Sequence, residues 1–371
     1  MFGILLTLIF IRPFISSLAF PYLNYIYSAL FLIFLIIWFI SKNIPLSKIK
    51  PLKYPLILFC FAQIISVVFS TNKLNSFIEL YKYISGLFLF LIVASLNDKD
   101  KIRIIGTVVL TGLFISLLAI YQYLIGFQHI LEYMDKAKIT APFVLDYVGR
   151  KRVFFPFVTP NALAGYLAMI IPLVFINKYR VWFIIPLFLA VLLTKSLGAL
   201  LSIFLALGLY FYLQGKLGKR RISFLVGLLV TIGAIFISRS ITQKQHLQPI
   251  FSTLMRLNYW KETLRIIKAA PLTGIGIGNF NLAHSRYAHN SYLQIWAEMG
   301  ILGIISFLWI IFITFNIGFK KLRSSENQNY IITGILAAII VFLLHNFIDF
   351  SFFLPEVSII WWAIFGLLLI A

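Results

Sequence analysis

The chain has 371 residues, 61% of them hydrophobic and only 12% charged, with a formal net charge of +21. The composition points away from a water-soluble domain. The single cysteine, Cys60, sits in an apolar run, which excludes a disulfide framework and a thiolate metal site. Such a positive charge would suggest nucleic acid in a soluble protein, but no RNA- or DNA-binding module is visible, and membrane proteins collect Lys and Arg in cytoplasmic loops.

Many apolar runs are about 20 residues long, the length of a membrane helix. They do not alternate polar and apolar residues, so helices are expected rather than barrel strands. About twelve spans are expected, near 2–20, 22–41, 54–70, 77–96, 102–125, 157–176, 181–194, 197–213, 222–238, 291–319, 329–346 and 352–370. Arg12-Pro13 interrupts the first, and Pro186 lies in the short seventh. The first run lacks a basic start and a small-residue cleavage site, so no removable signal peptide is expected. The fold class is therefore all-α and polytopic, with 1–371 a single integral membrane domain. Short basic loops lie at Lys42–Lys53, Lys99–Arg103, Lys178–Arg180, Lys216–Arg221 and Lys320–Arg323. Twelve spans put all of these on one side, so both termini are expected in the cytoplasm.

Two long outer loops remain, 126–156 and 239–290. The first carries Lys136, Lys138, Arg150, Lys151 and Arg152. The second carries Arg239, Lys244, Arg256, Lys261, Arg265, Lys268 and Arg286. Topology does not require these charges. They suit a diphosphate, which the Arg donor fork binds well; attraction to anionic head groups is the alternative. Residues 251–269 read as an amphipathic surface helix, with Leu254, Leu257, Leu264 and Ile267 as its apolar stripe. Pro271 ends it. Gly274, Gly276 and Gly278 then permit unusual backbone angles. No strand precedes these glycines, so a nucleotide loop is not inferred.

The segment from His289 to Gly303 enters a membrane helix with polar groups: His289, Asn290, Gln294 and Glu298. Asn290, Gln294 and Glu298 recur every fourth residue and share one helical face. Polar groups at a membrane boundary are costly unless paired, and mark a functional site. The plainer alternative is that Asn290 caps the helix and the others bond a neighbouring helix. The sixth span opens Phe155-Pro156-Phe157-Val158-Thr159-Pro160-Asn161, with Arg150 and Arg152 just before it. The eighth opens Thr194-Lys195-Ser196-Leu197-Gly198-Ala199. Near the end, His345 and Asp349 are spaced to share a helical face; mutual pairing, pairing with a loop Arg, or positioning of His289 are the roles open to them. His129, His246 and His284 lie in loops and are assigned no role.

The order Arg256, Trp260, Pro271-Leu-Thr-Gly-Ile-Gly-Ile-Gly-Asn-Phe280, His289-Asn-Ser-Tyr-Leu and Glu298-Met-Gly resembles the signature of the O-antigen ligase and polymerase superfamily. The resemblance is strongest over 250–310 and extends through 150–370. It implies a membrane glycosyltransferase architecture of the GT-C kind. It also implies transfer of an oligo- or polysaccharide from an undecaprenyl diphosphate carrier to an acceptor hydroxyl, at the outer face of the bacterial cytoplasmic membrane. The partners would be the lipid-linked glycan and a glycan, lipid A core or protein acceptor. Ligase, polymerase and protein transferase share these motifs, and a flippase for the same carrier is the alternative from another class.

Asn161 lies in a stretch similar to the family's Pro-Asn-x-Leu-Ala segment. The eighth span is similar to a Ser-Arg-Gly-Ala segment whose Arg contacts the diphosphate, but Leu197 stands in the Arg position here. Lys195 is one substitute, though about 200° away around a helix; Arg150 or Arg152 is another. On this reading Arg256, with Arg152, Arg150 and Lys195, neutralises the diphosphate. His289 is the general base or a second diphosphate ligand. Asn161, Asn290, Gln294, Glu298, Gly276, Asp349 and His345 support the site. Only 11 acidic residues are present, and Glu132, Asp135 and Asp146 are scattered, so no metal or other cofactor is expected.

Overall fold

The computed structural model describes residues 1–42, 50–136, 142–176, 182–215, 218–242, 251–324 and 329–369. Lys138, Lys178, Arg180, Lys216, Lys244 and His246 lie outside the described residues. The described residues are mostly helical, as the apolar runs require, and contain no sheet, only an isolated bridge between Leu282 and Ser285. Five helices are long and apolar enough to cross a membrane: Pro21–Ser41, Lys50–Val68, Lys73–Ser95, Asp98–Lys136 and Ser291–Arg323. Seven shorter apolar helices accompany them among the described residues. The protein is an all-α polytopic membrane protein.

The chain forms two compact units. One comprises Met1–Asn24, Ile102–Ile237 and Thr333–His345; the other comprises Tyr25–Lys101, Ser238–Ile332 and Asn346–Ala371. In the first unit, helix Pro160–Val174 is buried along almost its whole length and packs against Ile184–Thr194 and Leu197–Leu213. It starts where the sequence dictates. Thr159 Oγ1 accepts from Ala162 N at 3.2 Å, and Pro160 takes the first turn, where a missing N–H costs nothing. The expected first span is shorter than 2–20. Helix Phe2–Ile11 gives way to a 3-10 turn at Arg12–Phe14. Arg12 is fully buried, and donates to Ile15 O at 2.9 Å and Asn24 Oδ1 at 2.7 Å. A buried guanidinium needs such acceptors, and meeting them turns the chain.

In the second unit, helix Pro355–Leu367 is buried at every position and packs on Tyr81–Ser95. A Cβ on Gly86 would lie 2.3 Å from the Trp362 ring, so the glycine makes room for the indole. Lipid gives apolar side chains little net drive to associate, and close packing of this kind takes its place. Helix Ser291–Ser324 packs on Lys53–Val68, and Phe251–Ala269 packs on Ser291–Ser324.

Several expected loops are helical instead. Lys99–Arg103 falls in the first turns of Asp98–Tyr121, because Asn97 Oδ1 accepts from Asp100 N at 2.9 Å and caps the helix earlier. Lys101 is buried and donates to Leu369 O at 2.8 Å. Lys320–Arg323 ends helix Ser291–Ser324 rather than leaving it, as basic side chains favour a helix C-terminus. The loop 126–156 contains helices Phe127–Lys136 and Pro142–Gly149.

Candidate functional site

Asn290 caps helix Ser291–Ser324. Its Oδ1 accepts from Tyr292 N at 3.1 Å and Leu293 N at 3.0 Å. Ser291 ties the same turn to the last segment of the unit, donating from N to Asn346 O at 2.9 Å and from Oγ to Asn346 Oδ1 at 2.7 Å. Gln294 then bonds in both directions. Its Oε1 accepts from Ala288 N at 3.1 Å, and its Nε2 donates to Glu298 Oε1 at 2.9 Å. Glu298 Oε2 accepts from Gly278 N at 3.0 Å.

The glycine-rich stretch fits a break in this helix. Gly300 has φ 67° and ψ −170°, which interrupts the helical ladder. The freed groups bond to the stretch: Ile275 N donates to Ala297 O at 2.9 Å, Gly276 N to Glu298 O at 3.1 Å, and Ile301 N to Pro271 O at 2.9 Å. The other side of the stretch meets hydroxyls and amides from 66–76. Ser76 Oγ donates to Ile277 O and Asn75 Nδ2 to Gly278 O, both at 2.7 Å. Ile277 N donates to Ser66 Oγ at 3.0 Å, and Asn279 Nδ2 to Ser70 Oγ at 2.6 Å. Gly276, at φ 102°, has no room for a Cβ, which would fall 2.3 Å from Ser70 Oγ. Glu298→Gln keeps the shape but turns one of two accepting oxygens into a donor facing a donor. We expect a loss of about 1–3 kcal/mol, read by thermal unfolding of the purified protein, with Glu298→Asp less harmful if charge rather than reach dominates.

His289 lies directly before the cap, with its backbone in the left-handed region at φ 52°. Its ring stacks on Tyr259 at 5.5 Å and meets Phe350 edge-on at 4.9 Å. Trp260 Nε1 donates to His289 O at 3.4 Å. Nδ1 is buried, without a hydrogen-bond partner among the described residues. Burial pushes the imidazole down to about 4; the Asp349 carboxylate opposes this, and Arg256 adds to it. At neutral pH the ring is therefore uncharged, with Arg256 near enough to act on it. Helix Phe251–Ala269 explains how. Tyr259, Thr263 and Ile267 are buried, and Arg256 is on the partly buried side of the helix. The expected stripe is corrected here. Ile267 is buried, but Leu254, Leu257 and Leu264 are exposed, because Tyr259 and Ile267 pack with Phe280, Leu282, Ala288 and Ala297 instead.

Arg150, Arg152, Lys195, Asn161 and His345 belong to the first unit. Arg152 is buried, donates to Thr194 O at 2.9 Å and Asn161 Oδ1 at 3.1 Å, and lies over the Tyr147 ring. Arg150 pairs with Asp146 at 2.7 Å. Lys195 Nζ donates to Arg150 O at 2.7 Å. Lys195 is not helical but left-handed at φ 53°, between helices Ile184–Thr194 and Leu197–Leu213, so its expected offset around a helix from Leu197 does not apply. His345 Nε2 is 3.2 Å from Asn161 O. His345 and Asp349 do not share a helical face. The helix ends at His345, and Asn346 Oδ1 accepts from Phe352 N at 2.9 Å, which fixes a turn after it.

Glu79, Lys82 and Tyr83 join the candidate residues from the structure. With Gln294, Glu298, Gly278, Arg286 and aromatic rings they line a cavity in the second unit, whose lining includes neither His289 nor Arg256. Lys82 pairs with Glu79, and Arg286 approaches Glu79 at 3.8 Å. The signal was there: Glu79 and Lys82 are ionisable residues three apart at the head of an apolar span. Among the described residues no group of three or more His, Cys, Asp or Glu could hold a metal ion.

Residues 181–308 match the family described as O-antigen ligase. The match supports the O-antigen ligase/polymerase superfamily, and with it a ligase- or polymerase-type function. The O-antigen ligase segment covers about a third of the chain and includes Lys195, Arg256, Gly276, His289, Asn290, Gln294 and Glu298. Arg150, Arg152, Asn161, His345 and Asp349 lie outside it. No curated protein matches the chain.

Proposed function

We propose that the protein transfers a glycan from a polyprenyl diphosphate carrier to an acceptor hydroxyl, as a ligase-type glycosyltransferase of GT-C-like architecture. The bacterial cytoplasmic membrane would hold it, with both termini in the cytoplasm and the site on the outer face. The observation that carries the reading is a buried His289 stacked on Tyr259 of the helix that bears Arg256, within the segment similar to the O-antigen ligase family. The diphosphate is already a good leaving group. Catalysis then needs positive charge on the departing oxygens and a group that takes the acceptor proton. Arg256 supplies the first. His289 supplies the second, because an uncharged imidazole accepts a proton and an imidazolium does not. The acceptor oxygen bonds to the sugar carbon, the carbon–oxygen bond to diphosphate breaks, and the acceptor proton passes to His289.

Arg150, Arg152 and Lys195 are proposed as further diphosphate ligands. Arg152 is the best held of them, and its donor fork suits phosphate oxygens. Asn161, Asn290, Gln294, Glu298, Gly276, His345 and Asp349 hold the backbone and side chains in place. No divalent cation is needed for this chemistry. The test is reconstitution of the purified protein in vesicles with carrier-linked glycan extracted from the producing cells, and with the matching acceptor fraction. Glycan on the acceptor with free carrier diphosphate is the expected result. Transport of intact carrier-linked glycan across the vesicle, with no new glycosidic bond, would contradict it.

A further inference from the structure

The cavity lined by Glu79, Lys82, Tyr83, Arg286, Gln294 and Glu298 has no part in the chemistry above. We propose that it is a subsite for the hydroxyl groups of a sugar ring. Its charges decide the ligand class. Lys82 and Arg286 are both drawn to Glu79, so the lining offers a diphosphate no cation that is not already committed. A neutral hydroxylated ligand fits instead, since carboxylates and amides accept from and donate to hydroxyls. Phe280, Tyr287 and Phe353 add aromatic surface to the same lining. Pockets for small ligands combine apolar walls with a few convergent polar groups in this way.

A second observation comes from Tyr83, which lines the cavity. Tyr83 is 4% exposed, and its hydroxyl is buried with no hydrogen-bond partner among the described residues. A buried hydroxyl left unpaired costs about 1–3 kcal/mol, which a ligand hydroxyl would recover. The space inside is small, about 20 Å³, room for a single water-sized group. Arg286 is exposed, so the opening has a donor beside it. That room suits one ring hydroxyl, with the rest of the sugar outside it beside Arg286.

The identification of the ligand as a sugar rests on the proposed glycan transfer, and the test separates the two. Purified full-length protein in nanodiscs is titrated with methyl glycosides of glucose, galactose and N-acetylglucosamine, and binding is read by saturation-transfer NMR. Tyr83→Phe removes only the unpaired hydroxyl and keeps the ring that packs against Phe59 and Phe352. At least one glycoside should bind the wild type, and its affinity should fall about 2- to 10-fold in Tyr83→Phe, the worth of one hydrogen bond. Glu79→Gln should weaken the same glycoside, with thermal unfolding run alongside to confirm that this variant is folded. In the vesicle assay, a rise in KM for the acceptor places the acceptor ring here, and a rise for the donor places the carrier-linked ring here. Binding of no glycoside, or equal binding by wild type and Tyr83→Phe, overturns the subsite even if transfer occurs. Glycoside binding that depends on Tyr83, with no transfer by the wild type, leaves the subsite standing and removes the proposed reaction.

Discussion

Replacing His289 by Asn should lower kcat/KM for glycan transfer by about 10²- to 10⁴-fold, the usual worth of a positioned general base. Asn is the informative substitution because His289 sits at φ 52°, a region that Asn tolerates and Ala does not. Loss in the Asn variant therefore reports the imidazole rather than a displaced helix cap. The pH dependence gives the sign of its role. Burial holds the imidazole near 4, below its ordinary value. A neutral base is present at every pH above that value. The rate should stay level from neutral pH down to mildly acidic conditions and fall only as His289 gains its proton. A His289 that served as a cationic diphosphate ligand would show the reverse, with activity rising as the pH drops toward 4. Initial rates in vesicles across this range, on folded protein, decide between them.

Gly300→Ala should be among the most damaging single changes to stability. The position combines φ 67° with ψ −170°, a region open almost only to glycine, at about 1–3 kcal/mol for other residues. The added Cβ would also fall 2.0 Å from Leu272 O, a backbone atom that cannot step aside without moving the glycine-rich stretch. Gly274→Ala meets the same wall from the other side, 2.4 Å from the Glu298 carbonyl. Gly208 is the control: helical, with nothing within 4 Å of an added Cβ, so Ala there should be neutral or stabilising by up to about 1 kcal/mol. Thermal unfolding in detergent, with size-exclusion profiles, measures all three. A Gly300→Ala protein as stable as Gly208→Ala would mean that the stretch and the helix break are not mutually dependent.

The helices were legible because long apolar runs have few other options in lipid. Asn290 as a cap was legible from its place at the helix start. Gln294 and Glu298 were expected to bond a neighbouring helix; four apart on one helix, they bond each other and the backbone of the preceding stretch instead. What spacing does not show is where a helix breaks. Gly300 follows Glu298-Met299 in an otherwise helical run, and only the glycine-rich stretch lying against it reveals why the ladder stops there. Long-range pairing was hidden for the same reason. Ser66, Ser70, Asn75 and Ser76 are unremarkable polar residues in sequence, yet Ser66, Asn75 and Ser76 bond the 277–278 backbone and Ser70 the Asn279 side chain, all more than 200 positions away. The leucine stripe of 251–269 misled because aromatic side chains compete for the buried face. Tyr259 takes it, and Leu254, Leu257 and Leu264 are left outside. Glu79 and Lys82 stand three apart at the head of an apolar span, and spacing does not show that they share a cavity with Glu298.

The most direct measurement is glycan transfer in vesicles, with carrier-linked glycan and EDTA throughout, comparing wild type, Arg256→Ala and Arg256→Lys. Arg256 is asked to neutralise the departing diphosphate, and loss of such a group costs about 10²- to 10³-fold in kcat. Full activity of the wild type in EDTA, that loss in Arg256→Ala, and partial recovery in Arg256→Lys are the expected results. A wild type that stops in EDTA and recovers with a divalent ion, or an Arg256→Ala protein as active as the wild type, would contradict transfer by guanidinium charge at this site.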